Sequence, residues 1–341
     1  MRTSLIALAI AFLFKPVIYP FLISLKSSKF DREVGRIRLK KDFELEISYK
    51  HKKVLIIGGT RGVGKGIAIT VAKAGADVTV VGRSIKSGQA ILELLKSLQK
   101  DHEHLQKIDY VQGDIGSVQT ATECIKSLTK LASKNGKYDY LIVTATIFPY
   151  WNDLINEDGL ERSFGIAVVG RYMVYNNAEK LLNSNNARIL NVLASGMNDY
   201  PFDRDLASGK KIDGSLSQFV MNFACGAELM QIGLSRKNEF YSKLTRVSTN
   251  PGILKPYLHR GQGWLMNIFE GVMVKLIGFS EEEAGIRQAS ILSSPQLVNG
   301  RMNYVDEFLK GRMFGSQSIV DTELDWLMDL IEKKVNSKVR I

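Results

Sequence analysis

The sequence predicts an α/β fold in which a doubly wound parallel sheet carries helices on both faces. Two observations support this fold class. Short apolar runs, typical of buried strands, alternate along the chain with segments of helical period. The composition of the 341 residues, 45% hydrophobic and 24% charged, is ordinary for a globular protein with a sizeable core. Strands that alternate with helices form parallel sheets with right-handed crossovers, so we expect one such domain.

The apolar runs and the helical periods assign each element in turn. We predict strands at 54–57, 77–81, 108–112, 138–145, 187–193 and 244–249. Helices are predicted at 63–74, 91–99, 120–132, 159–182 and 216–234, and another begins at Glu281. Residues 321–341 predict a C-terminal amphipathic helix that packs on the domain or on a second subunit, because Leu324, Leu327, Met328 and Ile331 share one face.

The first strand ends in a glycine-rich turn, Gly58-Gly59-Thr60-Arg61-Gly62-Val63-Gly64. Gly58 permits a tight turn, Gly62 lets backbone N–H groups approach an anion, and Gly64 lets the helix pack close to the strand. The helix start adds unsatisfied N–H groups and the positive end of the helix dipole. Glycines that serve only steric needs are the alternative, but the strand, helix and second strand favour a dinucleotide diphosphate site. Its predicted residues are Gly58, Thr60, Arg61, Gly62, Val63 and Gly64.

The end of the second strand predicts which dinucleotide binds. An acidic residue there would accept hydrogen bonds from the ribose 2′-hydroxyl of NAD. The chain instead has Arg83 and Ser84, and Arg61 lies inside the turn. A guanidinium binds a 2′-phosphate with two charge-assisted hydrogen bonds, whereas a carboxylate would repel it. We therefore predict NADP as the cofactor in preference to NAD, with two solvated surface arginines as the alternative.

Residues 4–25 are apolar and long enough to cross a bilayer, but Lys15, Pro16 and Pro20 interrupt them. We expect a membrane anchor over residues 1–25, in the form of a kinked hydrophobic helix or a shallow hairpin; a cleaved signal peptide and a buried helix are the alternatives. Residues 26–50 form a basic connector, which predicts that the folded domain faces the cytosol. The endoplasmic reticulum is the candidate membrane.

The distribution of charge argues against nucleic acid as a partner. The net charge is +11, but residues 1–53 contain twelve Lys or Arg and five Asp or Glu, so most of the excess precedes the domain. The remainder has no recognition motif for nucleic acid. Two cysteines and four histidines show no ligand spacing, so we predict no metal site.

Three motifs in order resemble the short-chain dehydrogenase/reductase family over roughly residues 50–320. They are the glycine turn, Gly113-Asp114-Ile115 after the third strand, and Asn250-Pro251-Gly252 after the sixth. The resemblance implies a Rossmann domain over residues 51–320, with a substrate lid at about 253–295. It also implies that Asp114 and Ile115 contact adenine, that Ala145 lies against the cofactor and that Pro251 and Gly252 lie near the nicotinamide. The chain looks most like poorly characterised aldehyde-reductase-like and retinol-dehydrogenase-like members.

The catalytic residues of that family are missing at their expected positions. The family uses a Tyr-x-x-x-Lys pair in one helix, where the helix at 216–234 has Ser217 and Met221. Ala194 takes the place of the family's serine and Ala167 that of its asparagine.

We expect an NADP-preferring oxidoreductase that acts on a small-molecule aldehyde, ketone or hydrophobic alcohol. The candidates for catalysis are Ser195, Tyr200 and Ser217. The alternative is a catalytically inactive NADP-binding scaffold or sensor at a membrane. A homodimer is a further candidate assembly.

Overall fold

A computed structural model describes most of the chain after residue 48. The described residues are 49–99, 106–147, 154–184, 186–194, 202–252, 279–295, 297–305 and 321–339. The chain divides into one unit of residues 1–46 and a second of residues 47–341. The first unit, with the anchor and most of the basic connector, lies outside the described residues, so both stay predictions.

The core is a seven-stranded sheet in which all the pairings of neighbouring strands are parallel, in the order β3-β2-β1-β4-β5-β6-β7. Its strands are β1 (Lys53–Ile57), β2 (Asp77–Gly82), β3 (Ile108–Gln112), β4 (Tyr140–Val143), β5 (Arg188–Val192), β6 (Thr245–Thr249) and β7 (Met302–Val305). This confirms the doubly wound fold. The sequence did not predict β7, whose residues are all only partly buried because it lies at the edge of the sheet.

Helices cover the sheet in two groups. The described helices are α1 (Gly62–Lys73), α2 (Ile85–Ser97), α3 (Val118–Asn135), α4 (Arg162–Phe164), α5 (Arg171–Asn176), α6 (Ala178–Leu181), α7 (Arg204–Ala207), α8 (Leu216–Lys237), α9 (Glu239–Lys243), α10 (Glu281–Ser293) and α11 (Asp321–Val339). Helix α1 packs against α2 and α10, whereas α8 packs against α4, α5 and α11. The first group includes the helix that follows the glycine turn.

The predicted helix at 159–182 differs most from the structure. Gly159 has a φ of +69°, and the side chain of Asn156 accepts hydrogen bonds from the N–H groups of Asp158 and Leu160, so this segment is a closed turn. The helix starts at Arg162, passes through a π-helical turn, Gly165–Gly170, and continues as α5 and α6. Strand β4 is also shorter than predicted, and α2 begins earlier, because Ser84 accepts a hydrogen bond from the Ser87 N–H at its start.

The C-terminal helix α11 packs on α8 and α3 of the same chain. Its predicted apolar face is buried, with Leu324, Leu327, Met328 and Ile331 at most 4% exposed. An ion pair of 2.7 Å between Arg204 and Glu323 connects α7 to the first turn of α11.

None of the described helices combines the length and the apolar composition that a bilayer span requires.

Candidate functional site

The order of the described strands reverses between β1 and β4, and the crevice discussed below is the one that this fold class has at the carboxyl ends of these strands. The chain runs from β1 outward through β2 and β3, then returns to β4 on the other side of β1. In such sheets a ligand binds at the carboxyl ends of the strands where the order reverses. The glycine turn follows β1 at this point, and Thr144 and Ala145 follow β4.

The glycine turn and the end of β4 approach each other closely. Gly58 has a φ of +94°, and a Cβ atom at this position would lie 2.7 Å from the Ala145 nitrogen. A Cβ atom on Gly64 would lie 2.3 Å from the Gly58 carbonyl oxygen and 2.6 Å from Thr144 Oγ1. The Thr144 hydroxyl donates to the Gly58 carbonyl at 3.1 Å. The glycine positions of the turn thus have no room for side chains, and their absence keeps the backbone accessible to an anion. This geometry fits a dinucleotide diphosphate.

Helix α1 starts at Gly62, directly at this turn. Arg61, which precedes it, makes no side-chain cap, so the helix start depends on other acceptors. One of them is Glu281 of α10, whose Oε1 atom accepts from the Gly62 N–H at 2.8 Å. The other carboxylate oxygen lies 3.3 Å from Lys65 Nζ. No local pattern in the sequence predicts this carboxylate, because 219 positions separate it from Gly62.

Two arginines lie on the predicted adenosine side of the crevice. Thr60 of the glycine turn contacts Gly82, the last residue of β2. A Cβ atom on Gly82 would lie 2.6 Å from Thr60 Cγ2. Arg61 and Arg83 adjoin these two residues, and both are exposed. Within the described ranges, neither guanidinium takes part in an ion pair, so both are available to a phosphate. Ser84 keeps a hydroxyl proton to donate, although its oxygen caps α2.

The predicted adenine contacts follow β3. Asp114 is half-buried, and its Oδ1 atom accepts from the Gly116 N–H at 3.0 Å, which shapes the turn. Ile115 is 2% exposed and belongs to the core cluster, so its side chain has little surface to offer a ligand. The role of both residues stays a prediction.

The predicted nicotinamide side follows β6. Gly252 has a φ of +75°, and its N–H donates to Asn250 Oδ1 at 3.0 Å. Pro251 lies between them and is half-buried. These residues form a compact turn at the carboxyl end of β6, the same edge as the glycine turn.

The catalytic candidates are only partly placed. Ser195 and Tyr200 lie outside the described residues. Ser217 falls in the first turn of α8, and its side chain also lies outside the described part. Ala167, where the family has asparagine, is fully buried in the π-helical turn.

A Tyr-x-x-x-Lys spacing does occur once in the chain, at Tyr49 and Lys53. Lys53 is the first residue of β1, and Tyr49 precedes it, so the pair lies at the amino end of the sheet. The Tyr49 hydroxyl donates to the Ala289 carbonyl at 2.6 Å, and burial raises its pKa. This pair is therefore structural and not part of the crevice.

A buried arginine that the sequence did not predict lies against the carboxyl ends of β4 and β5. Arg171 is 0% exposed and donates to the carbonyl oxygens of Val143, Ala145 and Val192 at 3.0–3.1 Å. It also hydrogen-bonds Asn191 Oδ1. A lone arginine in the apolar run Phe164–Val174 was the available signal.

Comparison with known proteins agrees with this geometry. Residues 52–204 match the family model described as short chain dehydrogenase. The chain is 24% identical over 215 residues to an uncharacterised oxidoreductase of Saccharomyces cerevisiae. The aligned region covers 62% of this chain and 63% of the yeast protein. It is 24% identical to mouse retinol dehydrogenase 13, over 65% of this chain and 64% of that protein. The chain thus spans just under two thirds of the length of each of these two relatives.

Solved structures show the same fold. A short-chain dehydrogenase from Burkholderia cenocepacia, solved in complex with NADP, superposes with a TM-score of 0.57 at 18% identity. The superposition covers 76% of this chain and 98% of that one. The relatives named above are oxidoreductases, in agreement with the enzyme class that the sequence predicts. The family match over residues 52–204, the strand order and the glycine turn together support membership of the short-chain dehydrogenase/reductase family.

Proposed function

We propose that this protein is an NADP-preferring oxidoreductase that reduces an aldehyde or ketone, or oxidises a hydrophobic alcohol. The observation that carries the proposal is the pair of exposed arginines, Arg61 and Arg83, beside the glycine turn. Both are without an ion pair in the part of the chain that the structure describes. An NAD-specific site would have a carboxylate at the end of β2, which would repel a 2′-phosphate.

Each part of the crevice has a role in this proposal. The glycine turn and the start of α1 hold the diphosphate, and the two arginines hold the 2′-phosphate. Asp114 borders the adenine, and the turn at Pro251 and Gly252 borders the nicotinamide. When bound, the nicotinamide supplies or accepts the hydride. The protein positions the substrate carbon and stabilises the charge on its oxygen.

The proton for the substrate oxygen needs a donor other than the family's tyrosine. Ser195, Tyr200 and Ser217 are the candidates, because they lie on segments that follow β5 or open α8. General acid assistance typically contributes about 10²- to 10⁴-fold in rate, so slow turnover of a reactive carbonyl is compatible with a poor donor. The hydrophobic substrate class is supported by the apolar run at 264–277, which lies outside the described residues, and by the name of the retinol dehydrogenase relative.

The test compares NADPH with NADH on the full-length protein. We expect NADPH to bind more tightly, and we expect Arg61→Ala and Arg83→Ala to weaken NADPH binding by about tenfold each while leaving NADH binding nearly unchanged. Arg301→Ala is the matched control, since Arg301 is an exposed arginine that directly precedes β7, at the opposite edge of the sheet. Equal affinity for the two coenzymes would contradict the cofactor assignment.

Turnover decides between the enzyme and the scaffold. NADPH oxidation with a panel of aliphatic and aromatic aldehydes, followed at 340 nm, supports the enzyme. Tight NADPH binding without turnover of any panel member would support the inactive scaffold or sensor, for which the missing tyrosine and lysine are the specific observation.

We also propose that residues 4–25 attach the protein to a membrane, with the endoplasmic reticulum as the candidate and the domain in the cytosol. The support is the apolar run and the basic stretch that follows it. Flotation of the full chain with vesicles, compared with a variant that lacks residues 1–25, tests the attachment. A homodimer stays a prediction of the sequence.

A further inference from the structure

Arg171 is a buried charge without a carboxylate partner among the described residues. Among the described residues, its two terminal nitrogens donate to three carbonyl oxygens and to the amide oxygen of Asn191. Its Nε atom is buried and makes no hydrogen bond with the described residues. Burying a charge is costly unless other groups stabilise it, so an uncompensated guanidinium in this position needs an explanation.

The charge lies under the strand ends that form the crevice. Val143 and Ala145 belong to the end of β4, and Val192 is the last residue of β5. Asn191 extends the network to β6, because its Nδ2 atom donates to Ser248 Oγ at 3.1 Å. The network thus joins β4, β5 and β6. These strands are followed by Ala145, by Ala194 and by the turn at Pro251 and Gly252, respectively. Arg171 therefore holds together the segments that border the predicted nicotinamide side.

The groups next to Arg171 do not neutralise its positive charge. An arginine stays protonated in proteins, even though burial lowers the pKa of Arg171. Tyr175 shares Asn191 Oδ1 with it through a 2.9 Å hydrogen bond. Burial raises the pKa of Tyr175 to about 12, so this phenol is neutral and does not offset the charge. The carbonyl oxygens supply partial negative charges but no compensating ion.

We propose that Arg171 provides a fixed positive charge at the nicotinamide end of the crevice, and that this charge makes the protein bind NADPH more tightly than NADP⁺. The oxidised nicotinamide ring carries a positive charge that the reduced ring lacks. A nearby buried cation repels the oxidised ring and leaves the reduced ring unaffected. The inference rests on the proposed function, since it assumes an NADP site. It identifies Arg171 as a positioning and electrostatic residue that does not touch the cofactor.

The experiment measures the two dissociation constants on full-length protein. NADPH binding is followed by its fluorescence and NADP⁺ binding by calorimetry, at the same pH and salt. We expect wild type to favour NADPH by at least about fivefold, the lower range of coupling between linked sites. Arg171→Gln should bring the ratio close to one, and Arg171→Lys, which keeps the charge, should retain it within about twofold.

Arg246→Gln is the matched control. Arg246 is 6% exposed, also bonds to carbonyl oxygens, and lies near the amino end of β6, away from the crevice. Its loss should destabilise the fold without changing the ratio of the two dissociation constants. An effect that reflects only general loosening would appear in both variants.

The outcomes separate the two claims. Wild type that binds neither coenzyme would overturn the proposed function and this inference with it. Wild type that binds both equally would overturn the inference alone, whether or not the variants fold. An unchanged ratio in Arg171→Gln, or an equal fall in Arg246→Gln, would also overturn it.

Discussion

The close contact between α1 and α10 predicts that Gly66→Ala destabilises the protein. These helices approach so closely that a Cβ atom on Gly66 would lie 1.8 Å from the Glu281 carbonyl oxygen and 2.7 Å from its carbon. An ordinary contact needs 3.4 Å or more. Both atoms belong to backbone, so no side-chain rotation relieves the clash. Gly66→Ala therefore requires the two helices to separate by about 1.6 Å locally.

Overpacking and helix propensity predict opposite signs for the change in the free energy of unfolding of Gly66→Ala. Replacing a helix glycine by alanine normally stabilises by about 0.5–1 kcal/mol. Overpacking costs typically about 1–3 kcal/mol, so we expect a net loss in the free energy of unfolding of roughly 0.5–2 kcal/mol.

Urea denaturation followed by tryptophan fluorescence measures this loss. Gly233→Ala in α8 is the control, since a Cβ atom there would meet only the side chain of Met328, at 2.5 Å from its sulfur. A methionine has three rotatable side-chain bonds and can move away, so this change should cost less. A Gly66→Ala protein as stable as wild type, or more stable, would refute the close approach of the two helices.

Three further predictions follow from the same packing and charges. Glu281→Gln keeps an oxygen that accepts from the Gly62 N–H but removes a negative charge beside an anion site; NADPH titration should show tighter binding by about two- to fivefold, and weaker binding would contradict this. Leu327→Ala removes a 0% exposed side chain of α11, and should cost about 2–5 kcal/mol in urea denaturation; a loss under about 1 kcal/mol would show that α11 contributes little. Burial, with the nearby Asp114 charge, raises the pKa of Cys124 to about 11, so native protein at pH 8 should react with iodoacetamide far more slowly than unfolded protein; equal rates would contradict it.

The parts of the site that the sequence predicted are local in the chain. The glycine turn needs particular residues within seven positions, because backbone conformation and close approach are decided there. The arginine at the end of β2 was likewise readable, since it follows a strand that the apolar pattern located. Residues 54–57 and 108–112 matched their strands for the same reason.

The parts that the sequence did not predict depend on tertiary distance. The Gly62 and Glu281 contact requires that α10 lie beside α1, and no local pattern encodes the relative placement of two helices. The partners of Arg171 lie up to 28 positions away on two strands, and they meet only because α5 packs over β4 and β5. The break of the helix at 159–182 follows from a side chain, Asn156, that closes a turn on the backbone.

In the proposed site, the charges at the carboxyl ends of the strands would follow the order of the groups along a dinucleotide. Two exposed arginines, Arg61 and Arg83, lie at one end, where a phosphate would still be partly solvated and long side chains can adjust to it. At the other end of the proposed site the cation, Arg171, is fully buried and held by carbonyl oxygens, so its charge would act on the nicotinamide ring without direct contact. In the proposed site, the hydrogen bonds from Arg171 of α5 to the ends of β4 and β5 would fix its charge beside the ring, while the backbone amides of the glycine turn would hold the phosphates.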